Sequence, residues 1–216
     1  FAVGIQNGKT WDEVWTINSA AAVYKTDRMF MLDPASRFFD SDDAGKQTGA
    51  LTRILPKADY PIYTCELDER VPSAVVYPVE AVCNATRCAY LNNTVAYAIA
   101  FALFNKVGAI DLYGIDFSYK ENMHFAEAGR ACVEFWLCKC MEADITVGIS
   151  SRSTVLDSNV VATDRLYGFH RLDKPLVAVP HEGKWIIGPY EDIDEKLSEY
   201  GLILDKEEEP PEPYKG

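Results

Sequence analysis

The chain has 216 residues, 48% hydrophobic and 25% charged, and its 33 Asp and Glu outweigh 21 Lys and Arg to give a formal net charge of −12. These proportions exclude fibrous, collagenous and wholly disordered chains, and a domain this long can bury roughly 70% of its unfolded surface without a disulfide or metal staple. The acidic balance argues against non-specific nucleic-acid binding, because a duplex with one negative charge per roughly 1.7 Å would be repelled.

Gly and Pro divide the sequence into short apolar runs alternating with longer helical patterns, the signature of βαβ units and an α/β fold. Val14 to Ile17 reads as a first strand and Met29 to Leu32 as a second, stopped by Asp33-Pro34, since a residue before proline is pushed out of the helical region. Asp42 to Leu55 reads as an exposed helix ended by Pro56. Pro61 to Cys65 and Ala74 to Pro78 read as two further strands.

Asn93 is placed to cap a helix over Thr94 to Lys106 that is apolar around its circumference, with Gly108 at the expected left-handed C-terminal cap. Ile110 to Tyr113 follows as a strand ending at Gly114. Glu127 to Ala143 reads as a helix with Phe135, Trp136, Leu137 and Met141 as its bulk, and Ile145 to Val147 as the next strand. No internal repeat is visible. Beyond Ser158 the pattern weakens, and Lys174 to Tyr190 reads as short strands around a Gly turn. The tail Asp205 to Gly216, with five acids, two bases and several prolines, reads as a solvated, disordered end.

The six cysteines, Cys65, Cys83, Cys88, Cys132, Cys138 and Cys140, contain no C-x-x-C pair and are expected as free thiols. No N-terminal stretch has the pattern of a targeting signal, and the longest apolar stretch, Val95 to Phe104, is too short to span a bilayer, so a cytoplasmic location is expected. The start at Phe1 rather than Met suggests that some residues precede it.

In open α/β sheets, ligands bind beyond the carboxyl ends of the strands, where loops converge and helix starts expose N–H groups. Four segments fall at such places: Asn18-Ser19, Asp33-Pro34, Asn92-Asn93-Thr94 and Gly114 to Phe117, the last including Asp116. Plain alternatives are a helix cap for Asn93 and a turn for Asp33. His124, in a polar loop ahead of the Glu127 helix, has the titration range of a general base, with a surface or capping role as the alternative. His170 and His181 read as structural. Asp40-Ser41-Asp42 has the spacing of a metal-holding D-x-D, but it does not directly follow an apolar strand, so solvated loop acids are the preferred reading.

The run Asn92 to Tyr119 (NNTVAYAIAFALFNKVGAIDLYGIDFSY) resembles the central segment of the bacterial lipooligosaccharide sialyltransferases and the related motility-accessory-factor-like domains. WTINSA (Trp15 to Ala20), FMLDPASRFFD (Phe30 to Asp40) and the stretch His124 to Val147, in which His124 stands ten positions before Glu134-Phe135, are similar to further segments of that family. The resemblance spans about Trp15 to Leu156. It implies a Rossmann-like domain of the GT-A variant type, with a mostly parallel sheet flanked by helices. On that reading residues 1–160 form the nucleotide-binding domain, 161–204 a small β-rich extension packed on it, and 205–216 the acidic tail.

The implied activity is inverting transfer of a sugar from a nucleotide donor to an acceptor hydroxyl, with no metal or other cofactor required. His124 would be the base. Asn18 and Asp33 would meet the nucleotide with Ser19 beside them, Asn93 and Thr94 would lie at its phosphate or ribose next to Asn92, and Ser118 or Tyr119 would meet the phosphate. The family's Gly-x-Gly-Pro-Ser loop has no counterpart in Phe1 to Thr10, its second Asn is replaced by Asp33, and only seven residues separate Asp116 from His124 where the sialyltransferases have a longer lid. Two other readings share the scaffold: a Mg²⁺-dependent diphosphokinase of the pterin type acting on ATP, which would give weight to Asp40 and Asp42, and a non-catalytic nucleotide-binding module. A homo-oligomer is compatible with all three.

Overall fold

The structure is a computed structural model and describes residues 10–41, 45–118 and 122–204. The chain is α/β, and its residues gather into two compact units. Among the described residues, one holds those from 10 to Lys106 together with Ala131–Trp136, and the other those from Val107 to Arg130 and from Leu137 to 204.

In the first unit, β1 (Trp15–Ile17), β2 (Arg28–Phe30), β3 (Ile62–Thr64) and β4 (Ala74–Val76) form a four-stranded sheet in the order β1-β2-β3-β4, with every neighbouring pair parallel. Side chains alternate between the faces of a strand, so consecutive apolar residues must be covered on both sides. Met29, Met31 and Ile62 pack with Phe38 of α1 (Ser36–Phe39), Leu51 of α2 (Thr48–Ile54) and Leu55. On the other face, Phe101 of α4 (Thr94–Phe104) lies 5.8 Å from Trp15, 5.6 Å from Phe30 and 4.7 Å from Tyr63, ring centroid to centroid.

Two expectations change here. The helix expected over 42–55 is α2, and it is not an exposed element: Leu51 is fully buried, Leu55 joins it in the core, and Leu55–Lys57 tighten into a 3-10 turn around Pro56. Residues 42–44 lie outside the described residues. The second concerns α4, which is apolar on all sides as expected and has no exposed residue. Its end is not set by Gly108. Asn105 Nδ2 donates to the Phe101 carbonyl at 2.7 Å, closing the helix early, and the left-handed residue is Lys106, at φ 54°.

Ahead of α4 lies α3 (Val79–Thr86), whose end turns through left-handed Arg87, at φ 55°. The loop beyond is held by α5 (Met123–Glu142): the indole N–H of fully buried Trp136 donates to the Tyr90 carbonyl at 2.6 Å, and the Cys132 thiol donates to the same oxygen at 3.3 Å.

In the second unit, β5 (Ala109–Leu112) and β6 (Thr146–Ile149) pair in parallel from Ala109 beside Thr146 to Leu112 beside Ile149, with α5 in the crossover between them. Asp111 stands opposite Gly148, and a Cβ at Gly148 would collide with the Asp111 carboxylate. Further on, β7 (Leu176–His181) and β8 (Lys184–Pro189) form an antiparallel hairpin, matching the expected strands around a Gly turn. Glu182 and Gly183 make its two-residue turn, both with positive φ, as a turn that follows the strand twist requires. Ile193 and Leu197 of α6 (Ile193–Ser198) complete its core with Val177 and Ile186. No helix among the described residues is long and apolar enough to cross a membrane.

Candidate functional site

Parallel strands place all their carboxyl ends on one edge, and in the first unit that edge carries Asn18, the Asp33 turn and the residues after β3 and β4. Directly after β1 the backbone enters a 3-10 turn (Asn18–Ala22) with Asn18 in the left-handed region at φ 48°, a conformation that Asn tolerates better than most residues. Asn18 Oδ1 is buried and has no hydrogen-bond partner among the described residues. An unsatisfied buried acceptor costs about 1–3 kcal/mol, so this oxygen is a natural receptor for a ligand's N–H or O–H.

Ser19 Oγ reaches Gln47 Oε1 at 3.5 Å, tying the turn to the start of α2, where Thr48 Oγ1 is another buried polar atom without a partner among the described residues. Gln47 and Thr48 were not legible as site residues; their one local signal is a polar pair ahead of an apolar helix.

After β2, the Asp33 carboxylate pairs with Arg37 of α1 at 2.5 Å, and the Asp33 carbonyl accepts from the buried Thr64 hydroxyl at 3.4 Å. Arg37 thus offsets the negative charge of Asp33 at this edge.

The start of α4 lies near the residue that directly follows β4: Tyr77 packs on Tyr97 at 4.9 Å and donates its hydroxyl to the Tyr97 carbonyl at 2.9 Å. Phe101, one turn later, lies 5.8 Å from both Tyr77 and Trp15. Asn93 is a helix cap: its Oδ1 accepts from Ala96 N at 3.0 Å, and its Nδ2 donates to Asn92 Oδ1 at 2.7 Å. The first amides of a helix have no intrahelical acceptor, and with Ala96 capped and Tyr97 N bonded to the Asn93 carbonyl, those of Thr94 and Val95 point outward at the positive end of the helix dipole.

The second unit has its own carboxyl edge, beyond β5 and β6. Gly114 turns the chain at φ 69°, and Asp116 ties the two loops together. Its carboxylate accepts from the Thr154 hydroxyl at 2.8 Å, from Phe117 N at 3.0 Å and from the Ser118 hydroxyl. The Ser153 hydroxyl donates to the Ile115 carbonyl at 2.5 Å. The Ser118 hydroxyl, then Thr154, hold the Asp116 carboxyl below its ordinary value. Asp116 and Ser118 thus build this loop, with Ser153 and Thr154 as partners that the sequence reading omits. Tyr119 lies outside the described residues.

His124 does not sit in a loop ahead of a helix starting at Glu127. Asn122 Oδ1 accepts from Phe125 N at 3.2 Å and starts α5 at Met123, so His124 is an exposed residue of its first turn.

Of the D-x-D pair, Asp40 is engaged by Arg70 through both oxygens, at 2.6 and 3.0 Å, while Asp42 lies outside the described residues. Among the described residues no group of three His, Cys, Asp or Glu side chains is placed to hold a metal ion. Of the sequence candidates, Asn18, Ser19 and Asp33 belong to the edge of the first unit, Asn92, Asn93 and Thr94 to the start of α4 in the same unit, and Gly114, Asp116 and Ser118 to the edge of the second. No family model, no curated protein and no solved structure matches the chain.

Proposed function

We propose that the chain binds a nucleotide-activated sugar at the carboxyl edge of the β1–β4 sheet and transfers the sugar to an acceptor hydroxyl, on a Rossmann-like scaffold. The observation that carries the binding is the orphaned Oδ1 of Asn18, buried at the end of β1. Nothing charged is needed to satisfy it, which suits an amino group of a base or a ribose hydroxyl. The outward amides of Thr94 and Val95 suit the phosphate, and donors there favour the charge that grows on the departing nucleotide as the glycosidic bond breaks.

The sialyltransferase resemblance implies His124, an exposed residue in the first turn of α5, as the general base. The diphosphokinase alternative gains nothing from Asp40, whose oxygens are taken by Arg70.

Titration calorimetry with CMP-, UDP-, GDP- and ADP-sugars and with ATP, each with and without Mg²⁺, tests the binding, and product analysis with His124→Ala tests the transfer. The expected result is a sugar nucleotide bound without Mg²⁺ and a variant that binds but does not transfer. Binding of ATP alone and only with Mg²⁺, or undiminished transfer by His124→Ala, contradicts the proposal.

A further inference from the structure

Helix α3 ends in a six-residue cap: Arg87 is left-handed, and the amide of Cys88 donates to the carbonyl of Cys83 at 3.1 Å. With standard backbone dimensions a bond of that length holds the two Cα atoms within about 7 Å of each other. Disulfides bridge Cα separations of roughly 4.4–6.8 Å, and caps of this kind bring the side chains at these two positions into contact. Both residues are half-buried, which leaves them open to a small reagent. Cys88 is also anchored from its other side, because Tyr90, two residues on, receives the Trp136 and Cys132 donors.

We propose that Cys83 and Cys88 are an oxidative modification site that closes to a disulfide by exchange with low-molecular-weight disulfides of the glutathione class. The Cys88 thiolate attacks one sulfur of the small disulfide and expels one small thiol, leaving a mixed disulfide on Cys88. The Cys83 thiol then loses its proton, attacks the Cys88 sulfur and expels the second thiol. Two protein thiols and one small disulfide become one protein disulfide and two small thiols.

Burial holds the Cys83 thiol above its ordinary range, which suits the resolving role rather than first attack. Cys132 and Cys140 are fully buried, and burial pushes the Cys140 thiol up to about 11. The bridge would tie the end of α3 to the segment that leads into the Asn92-Asn93 cap.

The test uses the full chain, folded, in mixtures of oxidised and reduced glutathione, alkylated and then digested with trypsin without reduction. Cleavage after Arg87 puts the two thiols on separate peptides, 71–87 and 88–106, so the bridge appears as one linked species that divides on reduction. That species is expected in the wild type and in Cys132→Ser, is lost in Cys83→Ser and Cys88→Ser, and forms at a lower oxidant ratio in the native protein than in urea. Glutathione adducts or free thiols without the linked species, linkage of Cys88 to Cys132, or equal bridging in urea would overturn the proposal.

Discussion

Asp116 and Thr154, 38 residues apart in sequence, share a 2.8 Å hydrogen bond that joins the loops beyond β5 and β6. The bond is stronger to the ionised carboxylate than to the acid, and the hydroxyls of Ser118 and Thr154 lower the acid's folded pKa below its ordinary 3.8. A folded pKa below the unfolded one means that the contribution is complete above the unfolded value and is lost as pH falls through the folded one. Asp116→Asn should therefore be less stable than wild type at pH 7, with the gap closing below about pH 4. Thermal unfolding of both proteins from pH 7 to 3 measures this, and a gap independent of pH contradicts it.

Trp136 has no exposed surface and donates its indole N–H to Tyr90. Trp136→Ala should cost about 3–5 kcal/mol by denaturant unfolding, the range for a large aromatic removed from a core. Trp136→Phe keeps a ring but loses the donor, and because Cys132 still bonds the same carbonyl its excess cost over the wild type should be nearer 1 kcal/mol.

A Cβ at Gly148 would overlap the Asp111 carboxylate, which must rotate away from its present position to admit it. Gly148→Ala should destabilise by about 1 kcal/mol, the low end of overpacking, because the clashing atom can move, and adding Asp111→Ala should recover part of the loss. Equal midpoints for wild type and Gly148→Ala in urea would refute the packing argument.

The hairpin turn holds Glu182 at φ 48°, where Asn is at home and Glu is strained. Glu182→Asn should raise stability by about 0.5 kcal/mol, readable as a higher melting temperature; no change or a decrease would speak against the turn geometry.

What could be read in advance follows from how local each cause is. β1 to β4 and the Asn93 cap were legible because a strand run or a capping amide acts within a few residues, and each was found within a residue or two of its place. The start of α5 was not, since Lys120-Glu121-Asn122 reads as a polar loop and one side-chain bond from Phe125 N decides the boundary. Likewise Asn105 rather than Gly108 ends α4. Thr154, Ser153, Gln47 and Arg70 matter through partners distant in sequence, Asp116, Ile115, Ser19 and Asp40, and no local pattern announces such a meeting. Asp40, expected as a loop acid, is an ion-pair partner of Arg70, a residue 30 positions away that no local spacing points to.

The central claim, that the buried amide oxygen of Asn18 receives a nucleotide, is tested most directly by a thermal-shift comparison of wild type with Asn18→Gly, which keeps the left-handed backbone free of strain while removing the amide. A sugar nucleotide at a hundred times its dissociation constant should stabilise the wild type by roughly 2.7 kcal/mol, and the same concentration should stabilise Asn18→Gly less, by a margin of about 1 kcal/mol or more, as loss of one buried hydrogen bond requires. Equal stabilisation of both proteins, or no shift of the wild type with any nucleotide, would contradict the claim.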